Sequence, residues 1–183
     1  MVRYTLDTNC IIAMEESRPE ASALRTLVER HRQGTLIVQI TAIAAAERQR
    51  SGTPLERFDD FRARIAALGL GEAVFLRPPM YVGLCFVDYC IVHGDEFLSQ
   101  ERAIHEVLFS STPFEIDSSE HPVGSKQWLR WLNAKCDVLT MWCHLHYGGG
   151  VFVSSDENFH ASSKRLRLLS MGAGSIVRPD AIV

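Results

Sequence analysis

Arg3-Tyr4-Thr5-Leu6-Asp7-Thr8-Asn9 is the stretch on which the fold is decided. Tyr4, Thr5 and Leu6 are aromatic, β-branched and aliphatic, a composition that suits a buried strand. The strand stops at Asp7-Thr8-Asn9, and Ile11-Ile12-Ala13-Met14 reads as the opening of a short helix over 11–16. A carboxylate between a core strand and a helix projects from the carboxyl edge of a sheet. In open α/β sheets that edge is where ligands bind. What matters for function is whether other acids reach the same edge.

Outward from this stretch, a second helix is expected over about 19–33. Ser17 is placed to cap it, Pro19 suits its first turn and Gly34 ends it. Leu36-Ile37-Val38-Gln39-Ile40 follows as a mostly apolar, interior strand. Strand, helical crossover and strand make a parallel pair with a right-handed connection. Ala42-Ile43-Ala44-Ala45-Ala46-Glu47-Arg48 is strongly helical by propensity, with Thr41 able to cap it and Glu47 about two turns in. Pro54 opens a further helix with Leu55, Phe58, Phe61, Ile65 and Leu68 as its core stripe. Val74-Phe75-Leu76 reads as a short strand, 84–92 as helix or strand, 96–109 as a helix and 110–125 as a loop. Lys126 to His146 returns to helix, as one element or as two meeting near 133–137, and Gly148-Gly149-Gly150 stops it. Val151-Phe152-Val153 is a third parallel strand, followed by a helix over 161–170 and a last strand at 175–178. The fold class expected is α/β: one domain over 1–183, a parallel central sheet flanked by helices.

The totals restrict the function. With 183 residues, 46% hydrophobic and 22% charged, the chain has enough material for one full core. The net charge is −3, which argues against an extended electrostatic wrap on DNA. No apolar run approaches the roughly 18 residues of a membrane helix. No secretory leader opens the chain, so the expectation is a cytoplasmic protein with no membrane partner. Cys10, Cys85, Cys90, Cys136 and Cys143 are odd in number and lack a CxxC pair, and are read as reduced, mostly buried thiols. Cys136 and Cys143 near His144 and His146 fit no usual zinc spacing; buried thiols beside surface imidazoles are expected there.

On a parallel sheet, four acids converge. Asp7 follows strand one, and Glu47 is on the helix leaving strand two. Asp137 is at or near the start of the helix that feeds Val151, and Asp156 follows Val153 by three residues. Each has a plainer reading: Asp7 or Asp137 as a helix cap, Asp156 as a turn residue, Glu47 as solvated helix charge. Packed together in a partly dry site, the four raise one another's pKa values. A divalent cation removes that penalty, and oxygen ligands favour Mg²⁺ or Mn²⁺ over zinc. Such an ion binds phosphate oxygens and acidifies water, so the chemistry implied is hydrolysis of a phosphodiester. Arg48 and Arg50, close in sequence to Glu47, are the candidates for phosphate contacts; the Lys164, Arg165 and Arg167 group reads as surface charge.

Leu6-Asp7-Thr8-Asn9, then 41–47, then Asp137, then Val153-Ser154-Ser155-Asp156-Glu157-Asn158-Phe159 resembles a PIN-domain ribonuclease, with the prokaryotic VapC-type toxins the nearest class. The resemblance implies that Asp7, Glu47, Asp137 and Asp156 bind Mg²⁺ or Mn²⁺ and activate the attacking water. It implies that Thr8, Asn9, Ser154 and Asn158 support the site, and that products carry 5′-phosphate and 3′-hydroxyl ends. It also implies an RNA substrate, a protein antitoxin as partner and a homodimer. Segment 71–125 exceeds what a compact domain of this class needs and reads as an insertion atypical of the family. Two other functions fit the first acid. A haloacid dehalogenase-like phosphatase would use Asp7 as nucleophile, but wants a second Asp where Asn9 stands. A non-catalytic RNA- or protein-binding module would keep the fold and lose acids.

Overall fold

The computed structural model describes residues 1–47, 55–92 and 94–182. Five strands form one all-parallel sheet: β1 (Arg3–Leu6), β2 (Ile37–Thr41), β3 (Val74–Leu76), β4 (Val151–Val153) and β5 (Ser175–Val177), in the order β3-β2-β1-β4-β5. Among the described residues the helices are α1 (Thr8–Glu15), α2 (Ala21–Arg32), α3 (Phe58–Ala67), α4 (Asp95–Phe109), α5 (Lys126–His146), α6 (Glu157–His160) and α7 (Ser162–Ser170). The expected α/β class and parallel sheet are therefore present. None of these helices is long and apolar enough to cross a membrane.

Strand alternation explains the layering, because successive side chains leave opposite faces of a sheet. Leu6, Val38, Ile40 and Val153 point into a core shared with α1, α2 and α3. Phe152 and Ile176 point into a second core built with α4, α5 and α7. The sheet is thus covered on both faces. Its polar residues on the second face are satisfied: His144 Nδ1 meets Thr5 Oγ1 at 2.8 Å, and Thr41 and Thr140 hydroxyls meet at 3.2 Å. The His144 Nε2–H donates to the Ala173 carbonyl at 2.9 Å, and burial lowers the imidazole's pKa. His144 is therefore a buried structural group, not the surface imidazole expected; His146 is exposed and stacked on Trp142. All five cysteines are free, with Cys10, Cys136 and Cys143 buried.

Local details depart from expectation for physical reasons. Ser17 does not cap α2. It takes a positive φ of 52° and its hydroxyl accepts from Arg25, and the helix starts after Glu20. The alanine-rich stretch after β2 forms only a single 3₁₀ turn, Ala42–Ala45. Ala42, Ala44 and Ala45 enter the first core while Ile43 enters the second, so the segment buries side chains in opposing directions. A helix with one apolar stripe cannot do that. At the start of β4, Gly150 has φ +116° and a Cβ there would collide with the Arg3 carbonyl, so only glycine lets β4 lie this close to β1.

Segment 71–125 supplies β3 at the sheet edge and α4 against α5. It is fastened by a buried ion pair. Lys135 Nζ on α5 donates to Glu101 Oε1 on α4 at 2.5 Å, with the side chains 2% and 0% exposed. Tyr81 Oη donates to the other Glu101 oxygen at 2.5 Å, and the ammonium lies over the Phe114 and Tyr81 rings at 4.1 and 4.8 Å. Every charge here has a partner, but removing one strands the other in a dry interior. Lys135→Met is expected to cost about 3–5 kcal/mol in urea unfolding. Lys135→Met combined with Glu101→Leu should recover most of that loss, because no unpaired ion remains.

Candidate active site at the carboxyl edge

The strand order reverses direction between β1 and β4. From β1 the chain winds through β2 to β3 with helices on one face. It returns through β4 to β5 with helices on the other. This switch point is where an open α/β sheet leaves a crevice beyond its strand ends. Leu6 pairs with Val153, and the Asp7 N–H donates to the Val153 carbonyl at 3.0 Å, so Asp7 and Ser154 emerge side by side.

Asp7 is 3% exposed, and its carboxylate accepts three hydrogen bonds. Thr8 N–H donates to Oδ1 at 2.8 Å, while Asn9 Nδ2 and Ser154 Oγ donate to Oδ2 at 2.7 and 2.6 Å. Asn9 is held in turn by the Ser155 N–H, which donates to its Oδ1 at 3.1 Å. Asp7 does cap α1, as its plainer reading had it, but a cap needs only one of these bonds. Burial pushes its pKa from 3.8 up to about 6; the three donors pull the other way, and the negative charge of Asp156 adds to the rise.

The other acids lie within electrostatic reach. Glu47 Oε1 accepts from Thr8 Oγ1 at 2.6 Å, which ties the end of the β2 segment to α1. Its pKa is pushed to about 8, first by burial and then by the charge of Asp7, with Arg64 opposing. Arg64 is paired with Glu15 across α3 and α1. Asp137 is half-buried and its carboxyl is held well above 3.8, by burial and then by Asp7, Glu47 and Asp156. Asp156 caps the short α6 by accepting from Asn158 N–H at 2.8 Å, and its own N–H donates to Ser154 Oγ at 3.0 Å.

Two placements correct the sequence reading. Glu47 is not two turns into a helix but in a bend after the 3₁₀ turn, since helix formation there fails for the packing reason above. Asp137 is not near a helix start. The helix is a single element capped at Ser125, whose hydroxyl accepts from Trp128 N–H at 3.2 Å, and Asp137 lies midway along it. That position also removes the reading of Asp137 as a cap. Arg48 and Arg50 lie outside the described residues.

The arrangement is a buried acid with three partly buried ones around it; Thr8 ties Glu47 to α1, and Asn9 and Ser154 tie Asp7 to the end of β4. Among the described residues, no group of three or more His, Cys, Asp or Glu side chains is already placed to hold a metal ion. An all-oxygen donor set of this kind suits a hard cation, which would cancel the mutual repulsion expressed in the raised pKa values.

Sequence reasoning missed Lys164. It is half-buried, donates to the Leu108 carbonyl at 2.7 Å and also bonds Asn158 Oδ1. Nothing in its spacing separates it from its exposed neighbours Arg165 and Arg167. No protein-family model and no curated protein matches this sequence.

The raised pKa of Glu47 gives a signed pH dependence. Its ordinary value is 4.5 and its folded value about 8, so the folded state binds the extra proton. The destabilisation is absent below about pH 4.5, grows between the two values and is complete above about pH 8. In chelator, Glu47→Gln should match the unmodified chain near pH 5 and melt about 2–6 °C higher near pH 9. Equal melting temperatures at both pH values would contradict the assigned environment.

Proposed function

We propose that this chain is a divalent-cation-dependent endoribonuclease of the PIN-domain, VapC-like kind, and that Asp7, Glu47, Asp137 and Asp156 hold Mg²⁺ or Mn²⁺. One observation carries the reading. A carboxylate locked by three donors at the sheet's switch point is opposed by the charge of Asp156 and itself raises the cost of ionising Glu47 and Asp137. When bound, such an ion supplies charge neutralisation, polarises phosphoryl oxygens and acidifies water.

The protein's own residues supply the positioning. Ser154 and Asn9 fix one oxygen of Asp7 and the Thr8 amide fixes the other, so the carboxylate needs no reorganisation when the ion arrives. Thr8 holds Glu47 through its hydroxyl, and Asn158 links Asp156 to Lys164. Burial keeps Asp137 and Glu47 inclined to carry protons, which a cation held there would displace. The substrate is an RNA phosphodiester, and the products carry 5′-phosphate and 3′-hydroxyl ends.

An amide, Asn9, occupies the place where a phosphatase with Asp7 as nucleophile wants a second acid. In its cellular role the chain is a toxin with a protein antitoxin, and it forms a homodimer. A groove of about 980 Å³ lined by apolar residues such as Leu55, Val82 and Trp128, and reaching Glu47, supports a protein partner.

Asp7→Asn, nearly isosteric, should lower RNA cleavage by about 10³-fold or more while leaving circular dichroism unchanged. Excess chelator should abolish cleavage by the unmodified chain, and Mn²⁺ should restore it. Full activity in either case removes the nuclease reading.

A further inference from the structure

A second cavity, of about 320 Å³, opens beside Asp137. Arg130, Asn133 and Asp137 line it from successive turns of α5; Asn158, Lys164 and the turn at 110–112 complete it. Residues three and four apart share a helix face, so this wall is one stripe of α5.

The chemistry of the lining is donor-rich. Lys164 Nζ carries only donors, so the atom of Asn158 facing it must be the amide oxygen. That fixes the amide's orientation, which would otherwise be a choice between two flips. Asn158 Nδ2 is then committed to point elsewhere, and it is buried with no hydrogen-bond acceptor among the described residues. Buried polar groups are nearly always paired, so this N–H₂ is a donor still to be satisfied. Arg130 is exposed and makes no hydrogen bond or ion pair with any described residue. Lys164 spends its donors on a carbonyl and an amide, and its positive charge faces no carboxylate within ion-pair distance among the described residues. A guanidinium, an ammonium and an unpaired amide around one hollow fit a group with several anionic oxygens.

Position narrows the ligand. The hollow shares Asp137 with the acid cluster, and Asn158 bridges from Lys164 to Asp156. An anion seated here lies next to whatever the acids hold. We propose that Arg130, Asn158 and Lys164 form an anchor for a second phosphate of the RNA strand, flanking the one that is hydrolysed. The proposal rests on the nuclease reading for its substrate, but the anchor acts through charge and hydrogen bonding and does not need the cation. It would hold the strand in register over the acids, as phosphate contacts do, without reading base sequence.

The test is binding rather than cleavage. Fluorescence anisotropy of a labelled single-stranded RNA of about 12 nucleotides, a span within ordinary single-strand sites, is followed in chelator so that no cleavage intervenes. Arg130→Ala should weaken binding about tenfold at low salt, the worth of one charge-assisted contact. It should also make the slope of log affinity against log salt shallower by about 0.7. Arg130→Lys should restore the slope. Asn158→Asp keeps the acceptor for Lys164 but replaces the orphan donor with an anionic oxygen, and should weaken binding at least as much as Arg130→Ala. Arg32→Ala on α2, where the arginine is paired with Glu29, should change neither quantity. Unchanged affinity and slope in both pocket variants overturn the proposal. So does a pocket that takes inorganic phosphate while RNA affinity is indifferent to Arg130. Should the unmodified chain bind RNA through Arg130 yet never cleave it, the anchor stands and the nuclease reading falls.

Discussion

The structure depends on how a negative charge is kept at the dry end of β1. Asp7 is buried, and burial alone would favour its neutral form. The Thr8 amide, Asn9 and Ser154 are all aimed at its oxygens and pull it back toward ionisation. The compromise is a carboxyl that titrates near neutrality, at about 6, surrounded by acids whose ionisation it opposes. Such a balance is uncomfortable for folding and suited to capturing a cation. The hydrogen bonds that hold Asp7 in the fold are the ones the proposed cation site would use, and the raised pKa values express the cost of crowding acids there.

The rest of the fold brings acids to that point from separate elements. Gly150, just before β4, lets that strand lie against β1, which sets Ser154 beside Asp7 and Asp156 just beyond. The one-turn segment after β2 drops Glu47 onto Thr8. Helix α5 crosses the second face with Asp137 at its middle. The buried Lys135–Glu101 pair, two residues from Asp137, ties that helix to α4. Segment 71–125 is thus no appendage. It contributes an edge strand, half of the clamp on α5 and the turn that closes the donor-rich hollow.

Much of this was legible in the chain. Short strands of apolar, β-branched and aromatic residues are local signals, and β1, β3 and β4 lie where their composition puts them. Asp7 and Asp156 stood out because a strand end fixes direction as well as position. Glu47 and Asp137 were harder. Alanine-rich sequence reports helix propensity, whereas the two cores flanking Ala42–Ala45 demand side chains on opposite sides. The polar run near 133–137 looked like a helix boundary because nothing local reveals that Lys135 is paired inside the protein. The stretch 84–92 had no period because it folds as an irregular segment around a single 3₁₀ turn at Val87–Tyr89. Lys164 and Asn158 meet six residues apart through the break between α6 and α7, a contact that helical spacing does not foresee.

What the sheet edge is for can be settled by placing the ion. Crystals of the full chain grown with Mn²⁺, examined by anomalous scattering at the manganese edge, locate the metal without regard to activity. The account predicts manganese at the ends of β1 and β4, about 2.0–2.2 Å from an oxygen of Asp7 and ligated by at least one of Asp137 and Asp156. Manganese bound elsewhere at saturating concentration, or an empty edge with the acids still apart, would contradict it.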